Sequence, residues 1–284
     1  MRFLDEDWCG LDWSPWYPLL QGRSLEKGLG KGPGIYRIRP AGQSILAYIG
    51  QTGKCLRENL TRLRVESGAK RVDPDSKHFA SPCMFVYHKV KDVDLEVSTC
   101  TMPKLPENER LATESVLLWN YRLEAGESPI CNLKRFHDGY DMFIDPAEGV
   151  KVRKLNSDEA RDNSSIAPLK YDGSFVDKDW MGLMWTEWEQ LDKKSVKAMK
   201  DEVCFLRMAK EDFSELLLID WTPDLGMALS EHMREKWSKK AAFSLAFRGL
   251  ELSPIHIAEL KNDMIAGYYM EMSGSPRMQY RVKR

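Results

Sequence analysis

Two short apolar runs, Gly34-Ile35-Tyr36-Arg37-Ile38 and Tyr48-Ile49-Gly50-Gln51-Thr52-Gly53, are separated by Pro40, Ala41, Gly42 and Gln43. Runs of this length, bounded by Gly and Pro, predict a β-hairpin. Alternation along a strand puts Tyr36 and Ile38 on one face and Ile35 on the other. Leu56, Leu60 and Leu63 then recur at helical spacing between Lys54 and Val65, with Lys54, Arg57, Arg62 and Arg64 around them. Asp94 to Cys100 alternates like a strand, and Pro103 and Pro106 punctuate the chain after it. A long helix is predicted from about Glu107 to Ala125, with Gly126 as its stop. Leu111, Glu114, Leu118 and Tyr121 share one of its faces. A carboxylate in an apolar stripe needs a partner. Either Arg110, one turn earlier, or a bound cation would serve Glu114.

The pattern then recurs. Asp7-Trp8-Cys9-Gly10-Leu11-Asp12-Trp13-Ser14-Pro15-Trp16 returns as Asp179-Trp180-Met181-Gly182-Leu183-Met184-Trp185-Thr186-Glu187-Trp188. Tryptophan is rare, so agreement at three of them marks an internal repeat. Val203-Cys204-Phe205 would then match Gly34-Ile35-Tyr36, and Leu217 to Thr222 would match Ala47 to Thr52. Leu260 to Ser275 parallels Ala112 to Ser128, setting Tyr269 against Tyr121. In this register Phe205, Leu218 and Asn262 replace Tyr36, Tyr48 and Glu114. The second copy keeps the apolar frame and loses the polar residues. The tryptophans could stack bases, but their presence in both copies favours a structural lead-in packed on each domain.

The expected organisation is a first domain over 1–150, a linker over 151–172 and a second domain over 173–284, all of α/β (α+β) class. From His137 to Phe175 the chain is rich in Asp, Gly, Asn, Ser and Pro. No apolar run approaches the roughly 18 residues of a membrane span, and the start Met1-Arg2-Phe3-Leu4-Asp5-Glu6-Asp7 is no signal peptide. Six cysteines without a C-x-x-C pair indicate neither a zinc site nor a disulfide framework. They fit a reducing cytoplasm.

The words around Tyr36 and Tyr48 resemble the signature of the GIY-YIG nuclease family, over Gly34 to about Arg135. That resemblance implies a small antiparallel-containing sheet flanked by helices, tandemly duplicated here with a degenerate second copy. It implies cleavage of double-stranded DNA with Mg²⁺ or Mn²⁺, of restriction or phage-defence type. A catalytically silent DNA-binding or protein-interaction module and a structure-selective repair nuclease are the alternatives. Tyr36 would position or deprotonate the attacking water, and Tyr48 would join the same hydrogen-bonded cluster. Glu114 would hold the metal, and Asn132 would brace the site. The family's helical arginine falls at Asn59, so Arg62 or Arg57 would have to supply its charge; Arg62 fits the helical geometry better. His78 lies in a stretch, Asp73 to Pro82, resembling a Pro/His/Ala loop of some bacterial members, as a phosphate contact or proton shuttle.

Charge modifies this picture only locally. The net charge of -1 is the main compositional argument against nucleic-acid binding. Lys54, Arg64, Lys70, Arg71 and Lys77, with Arg57 and Arg62, nevertheless form a basic strip able to grip phosphate. A second strip closes the chain at Arg277, Arg281, Lys283 and Arg284. With no membrane-length apolar run, the expected partners are double-stranded DNA and, as an option, a second copy of the chain in a homodimer.

Overall fold

The computed structural model describes every residue except 21–28, Lys77, Phe79, Lys200, Asp201, Arg248, Gly249 and 282–284. Lys77, Lys283 and Arg284 therefore lie outside the described residues. The fold is mixed α and β, with antiparallel sheets and, among the described residues, six α-helices. The chain divides into two compact units. The first comprises Met1–Arg110 and Leu117–Ala167, the second Leu111–Val116 and Pro168–Arg284. The division at Ala167 falls inside the expected linker.

In the first unit the expected hairpin forms as β2 (Gly34–Pro40) and β3 (Tyr48–Thr52). A short β1 (Tyr17–Pro18) and the later β4 (Leu95–Thr101) complete a sheet of order β1-β4-β2-β3. Ile35 and Ile49 face one apolar cluster, with Trp8, Trp13 and the helix residues Leu117, Leu118 and Tyr121. Tyr36 and Ile38 face another, with Leu56, Leu60 and Leu63. Those leucines belong to α1 (Leu56–Ser67), whose apolar stripe is the one the spacing predicts. A short α2 (Ser81–Phe85) covers the same cluster. The long helix α3 (Glu107–Ala125) ends on Gly126, whose φ of 81° is the left-handed conformation that glycine adopts freely.

Two expectations need correction here. Part of the supposed linker and the stretch before it fold as a hairpin, β5 (Tyr140–Asp145) with β6 (Gly149–Lys154). Val150 N–H donates to Pro74 O at 2.9 Å, tying the hairpin to the loop that leads to His78. Turn-rich composition masked two short strands with only half-buried faces. Second, Cys83 and Cys131 form a disulfide, with Cα atoms 5.7 Å apart. Their 48-residue separation gives no spacing signal. The Cys131 N–H donates to Ala47 O, which brings its loop beside β3 and under α2.

The second unit builds a sheet of order β7-β10-β8-β9 from β7 (Glu189–Gln190), β8 (Cys204–Lys210), β9 (Leu216–Thr222) and β10 (Ala241–Ala246). Its helices are α4 (Lys193–Ala198), α5 (Leu225–Arg234) and α6 (Pro254–Met272). Contacts repeat one for one between the units. Arg37 donates to Phe3 O and Asp5 O, and Arg207 to Phe175 O and Asp177 O. The guanidinium of Arg37 lies 4.3 Å from the Trp13 ring and 4.8 Å from Trp16; that of Arg207 lies 4.3 Å from Trp185 and 4.5 Å from Trp188. The tryptophan motif is thus a cation–π cage for a buried arginine. Burial lowers both guanidinium pKa values, to about 10 and about 9, which leaves them charged at neutral pH.

These contacts pair residues of the two units in a register that differs from the expected one. Matching Arg37 to Arg207 sets Leu206, not Phe205, against Tyr36. Tyr121 accepts from Leu46 N–H and Tyr268 from Leu216 N–H, so Tyr268 and not Tyr269 matches Tyr121. Glu114 is then opposite Lys261 rather than Asn262, whose amide donates to Ser115 O at 3.1 Å. Leu218 does correspond to Tyr48. A one-residue slip moves a strand residue to the other face and turns a helix residue by about 100°.

Candidate functional site

Tyr36 and Tyr48 stand on adjacent strands, on the sheet face that α1 covers, with ring centroids 5.9 Å apart. Gly50 pairs with Tyr36 across the hairpin, and a Cβ there would come within 2.9 Å of Tyr36 Oη. The same Cβ would collide with the Tyr48 ring. Glycine is required because both phenols lean over that backbone.

His78 completes the group. Its Nε2 lies 2.7 Å from Tyr36 Oη, and its ring centroid is 5.8 Å from that of Tyr48. Burial pushes the imidazole pKa down to about 4; the Glu66 carboxylate opposes the shift and the Arg62 guanidinium adds to it. At neutral pH His78 is therefore uncharged. In the tautomer protonated at Nδ1, Nε2 accepts the phenolic proton of Tyr36. Nδ1 itself is buried without a partner among the described residues.

Glu66, to which the sequence reading gave no role, holds this loop. Glu66 is 7% exposed and accepts from Ser76 Oγ at 2.7 Å. Arg62, one turn earlier on α1, sits 3.9 Å from the other Glu66 oxygen with more than half its side chain in solvent. Glu66 lies three residues after Leu63 and so on the edge of the apolar stripe. Nothing in one sequence marks such an acid as a loop anchor.

The two arginine candidates separate clearly. Arg62 bears electrostatically on His78, whereas Arg57 donates Nη2 to Leu29 O at 3.2 Å. Asn59 is half-buried, with Oδ1 unpartnered among the described residues.

Asn132 contacts no tyrosine hydroxyl group through its amide. Its Oδ1 accepts from Ile49 N–H and its Nδ2 donates to Ile49 O, both at 2.8 Å. It holds the outer edge of β3, and so positions Tyr48 and Gly50. Gln279 grips Ile219 in the same two-point manner, at 2.9 and 3.0 Å. The Asn132 contacts are those of a residue that positions the strand.

Glu114 is half-buried and falls in Leu111–Val116, the part of α3 that groups with the second unit. Arg110 is turned to Gln51, with Nε 2.8 Å from Gln51 Oε1. Within the second unit, Lys261 reaches Asp220 at 3.0 Å, and Asp220 is the counterpart of Gly50. Among the described residues no three His, Cys, Asp or Glu side chains are grouped to hold a metal.

The basic strip is only partly gathered. Lys54 is exposed and Arg64 half-buried on α1. Lys70 and Arg71 line one cavity with Lys151 and Lys154 of the β5–β6 hairpin, cations that the linker assignment overlooked. No helix among the described residues is long and apolar enough to cross a membrane.

In comparisons with known proteins, no family model, no curated protein and no solved structure matches this chain.

Proposed function

We propose that the chain is a metal-dependent DNA endonuclease of GIY-YIG type, built as a tandem duplicate whose second copy is chemically silent. The observation that carries this reading is the buried Tyr36–His78 hydrogen bond beside Tyr48, with Arg62 at its edge. The neutral imidazole 2.7 Å away can accept the phenolic hydrogen bond, which orients Tyr36 Oη and leaves an oxygen lone pair to position an attacking water. Arg62, largely in solvent, is free to meet a phosphate and steady its developing charge.

Glu114 is the residue assigned to the metal. Carboxylate oxygen suits a hard divalent ion, and a single protein carboxylate suits one that keeps most of its waters. Mg²⁺ bound there would polarise the phosphate and stabilise the leaving oxygen. The Lys261–Asp220 pair places the corresponding helical position of the second unit on the side facing the counterpart of Gly50.

In the second copy, Leu206, Leu218 and Lys261 stand where Tyr36, Tyr48 and Glu114 do, and that set has neither a phenol nor a metal-binding carboxylate. The matched arginine cages, tyrosine caps and amide clamps support duplication. The DNA assignment also draws on the basic strip and most plainly suits restriction or defence. A silent DNA-binding module is the second reading, favoured by the uncharged Asn59 at the arginine position.

The deciding experiment incubates methylated and unmethylated plasmids with the full chain, in Mg²⁺ and in EDTA, beside Glu114→Gln. Mg²⁺-dependent nicking or linearisation, lost in Glu114→Gln while DNA binding persists, is the expected result. Wild-type cleavage by Glu114→Gln would remove that residue from the mechanism. DNA binding with no cleavage under any condition would establish the silent module.

A further inference from the structure

Residues 53–94 join β3 to β4 and lay α1, the His78 loop and α2 over one face of the first sheet. In the second unit only residues 223–240 make the corresponding connection. The shorter connection leaves a cavity of about 580 Å³ between the ends of β8 and β10 and the C-terminal turn. That volume lies in the range of small-ligand sites.

Its lining combines three chemistries. Leu217 and Met278 give an apolar floor, and the half-buried Trp237 gives an aromatic wall. The Trp237 ring is held edge-on by His232, with centroids 5.5 Å apart. Lys239, Lys240 and Arg281 are exposed cations with no ion pair among the described residues. Lys210 and Arg277 also line it but share Glu215. Glu211 and Asp212 are the two lining acids, the second held as a carboxylate by Ser214 N–H and Oγ–H, against five lining cations. Cations therefore prevail around a flat aromatic surface.

We propose that this cavity binds a nucleotide, with its base against the Trp237 indole and its phosphate on Lys239, Lys240 and Arg281. A lone anion would use the cations and ignore the indole. A neutral aromatic would use the indole and ignore the cations. A nucleotide uses both, because every base has a π-face and every phosphate a charge. The ligand is either a free mononucleotide or a nucleotide turned out of a DNA strand. This inference stands apart from the nuclease reading, since none of these residues belongs to the Tyr36 cluster.

The test measures binding of dAMP and inorganic phosphate by calorimetry, and of labelled duplexes with and without one unpaired adenine by fluorescence anisotropy. The full chain is compared with Trp237→Leu, Trp237→Phe and the double variant Lys239→Gln/Lys240→Gln. Trp237→Leu should weaken dAMP or the unpaired-base duplex about tenfold and leave inorganic phosphate unchanged. Trp237→Phe should restore most of that loss, which a merely damaged fold would not allow. The double lysine variant should weaken both ligands. Tight dAMP binding identifies a free nucleotide, and preference for the unpaired duplex without dAMP binding identifies a strand nucleotide. Equal binding of both duplexes with no dAMP binding would overturn the proposal. So would insensitivity to Trp237→Leu.

Discussion

Replacing His78 with Phe should flatten the dependence of stability on mild acid. In the folded chain the imidazole titrates at about 4, against 6.5 when free, because burial disfavours its charged form. The folded state therefore binds fewer protons than the unfolded state throughout that interval. Stability supplied by His78 is fully present above pH 6.5 and is lost as pH falls through 6.5 toward 4. The shift of about 2.5 units corresponds to about 3 kcal/mol as an upper limit, or up to about 1.4 kcal/mol per pH unit across the window. Urea unfolding of wild type and His78→Phe, repeated from pH 7.5 to 4.5, measures the difference in slope. Carboxylates that titrate in the same range occur in both proteins and largely cancel. An imidazole NMR titration of wild type should show His78 still neutral at pH 5. Parallel stability curves, or a His78 resonance titrating near 6.5, would refute the buried neutral imidazole.

The amide clamps make a matched pair for testing. Asn132→Ala and Gln279→Ala should each cost about 2–4 kcal/mol, because each leaves one backbone N–H and one carbonyl without their partner. Hydrogen exchange at Ile49 and Ile219 reads this directly, and unchanged protection would mean that water replaces the clamp. On the catalytic side, Arg62→Ala should slow cleavage by roughly 10²-fold and Arg57→Ala far less. The reverse order in single-turnover rates would transfer the role to Arg57.

The sequence alone determined the elements that rest on local periodicity and punctuation. Ile35, Tyr36 and Ile38 alternate between faces as β2, the leucines of α1 face the core, and α3 ends on Gly126. Hydrophobic period and a left-handed stop are properties of neighbouring residues, so they are visible without a fold. The recurrence of the tryptophan motif was visible too, because tryptophan is scarce. Its register was not, since apolar residues on a buried sheet tolerate a one-residue slip in alignment. Only the Arg37 and Arg207 cages, each assembled from residues about thirty positions apart, show which strand residues correspond. Both arginines were present at matched positions, and aligning on them would have corrected Phe205 to Leu206.

Tertiary structure likewise decided what the polar candidates do. His78 meets Tyr36 across 42 positions, Cys83 meets Cys131 across 48, and Asn132 meets Ile49 across 83. Those pairings depend on where connections return over a sheet, which pattern along the chain does not encode. The same holds for the hairpin hidden in the supposed linker. Its strands are short and half-buried, and the contact with Pro74 that anchors it comes from a loop far away in sequence.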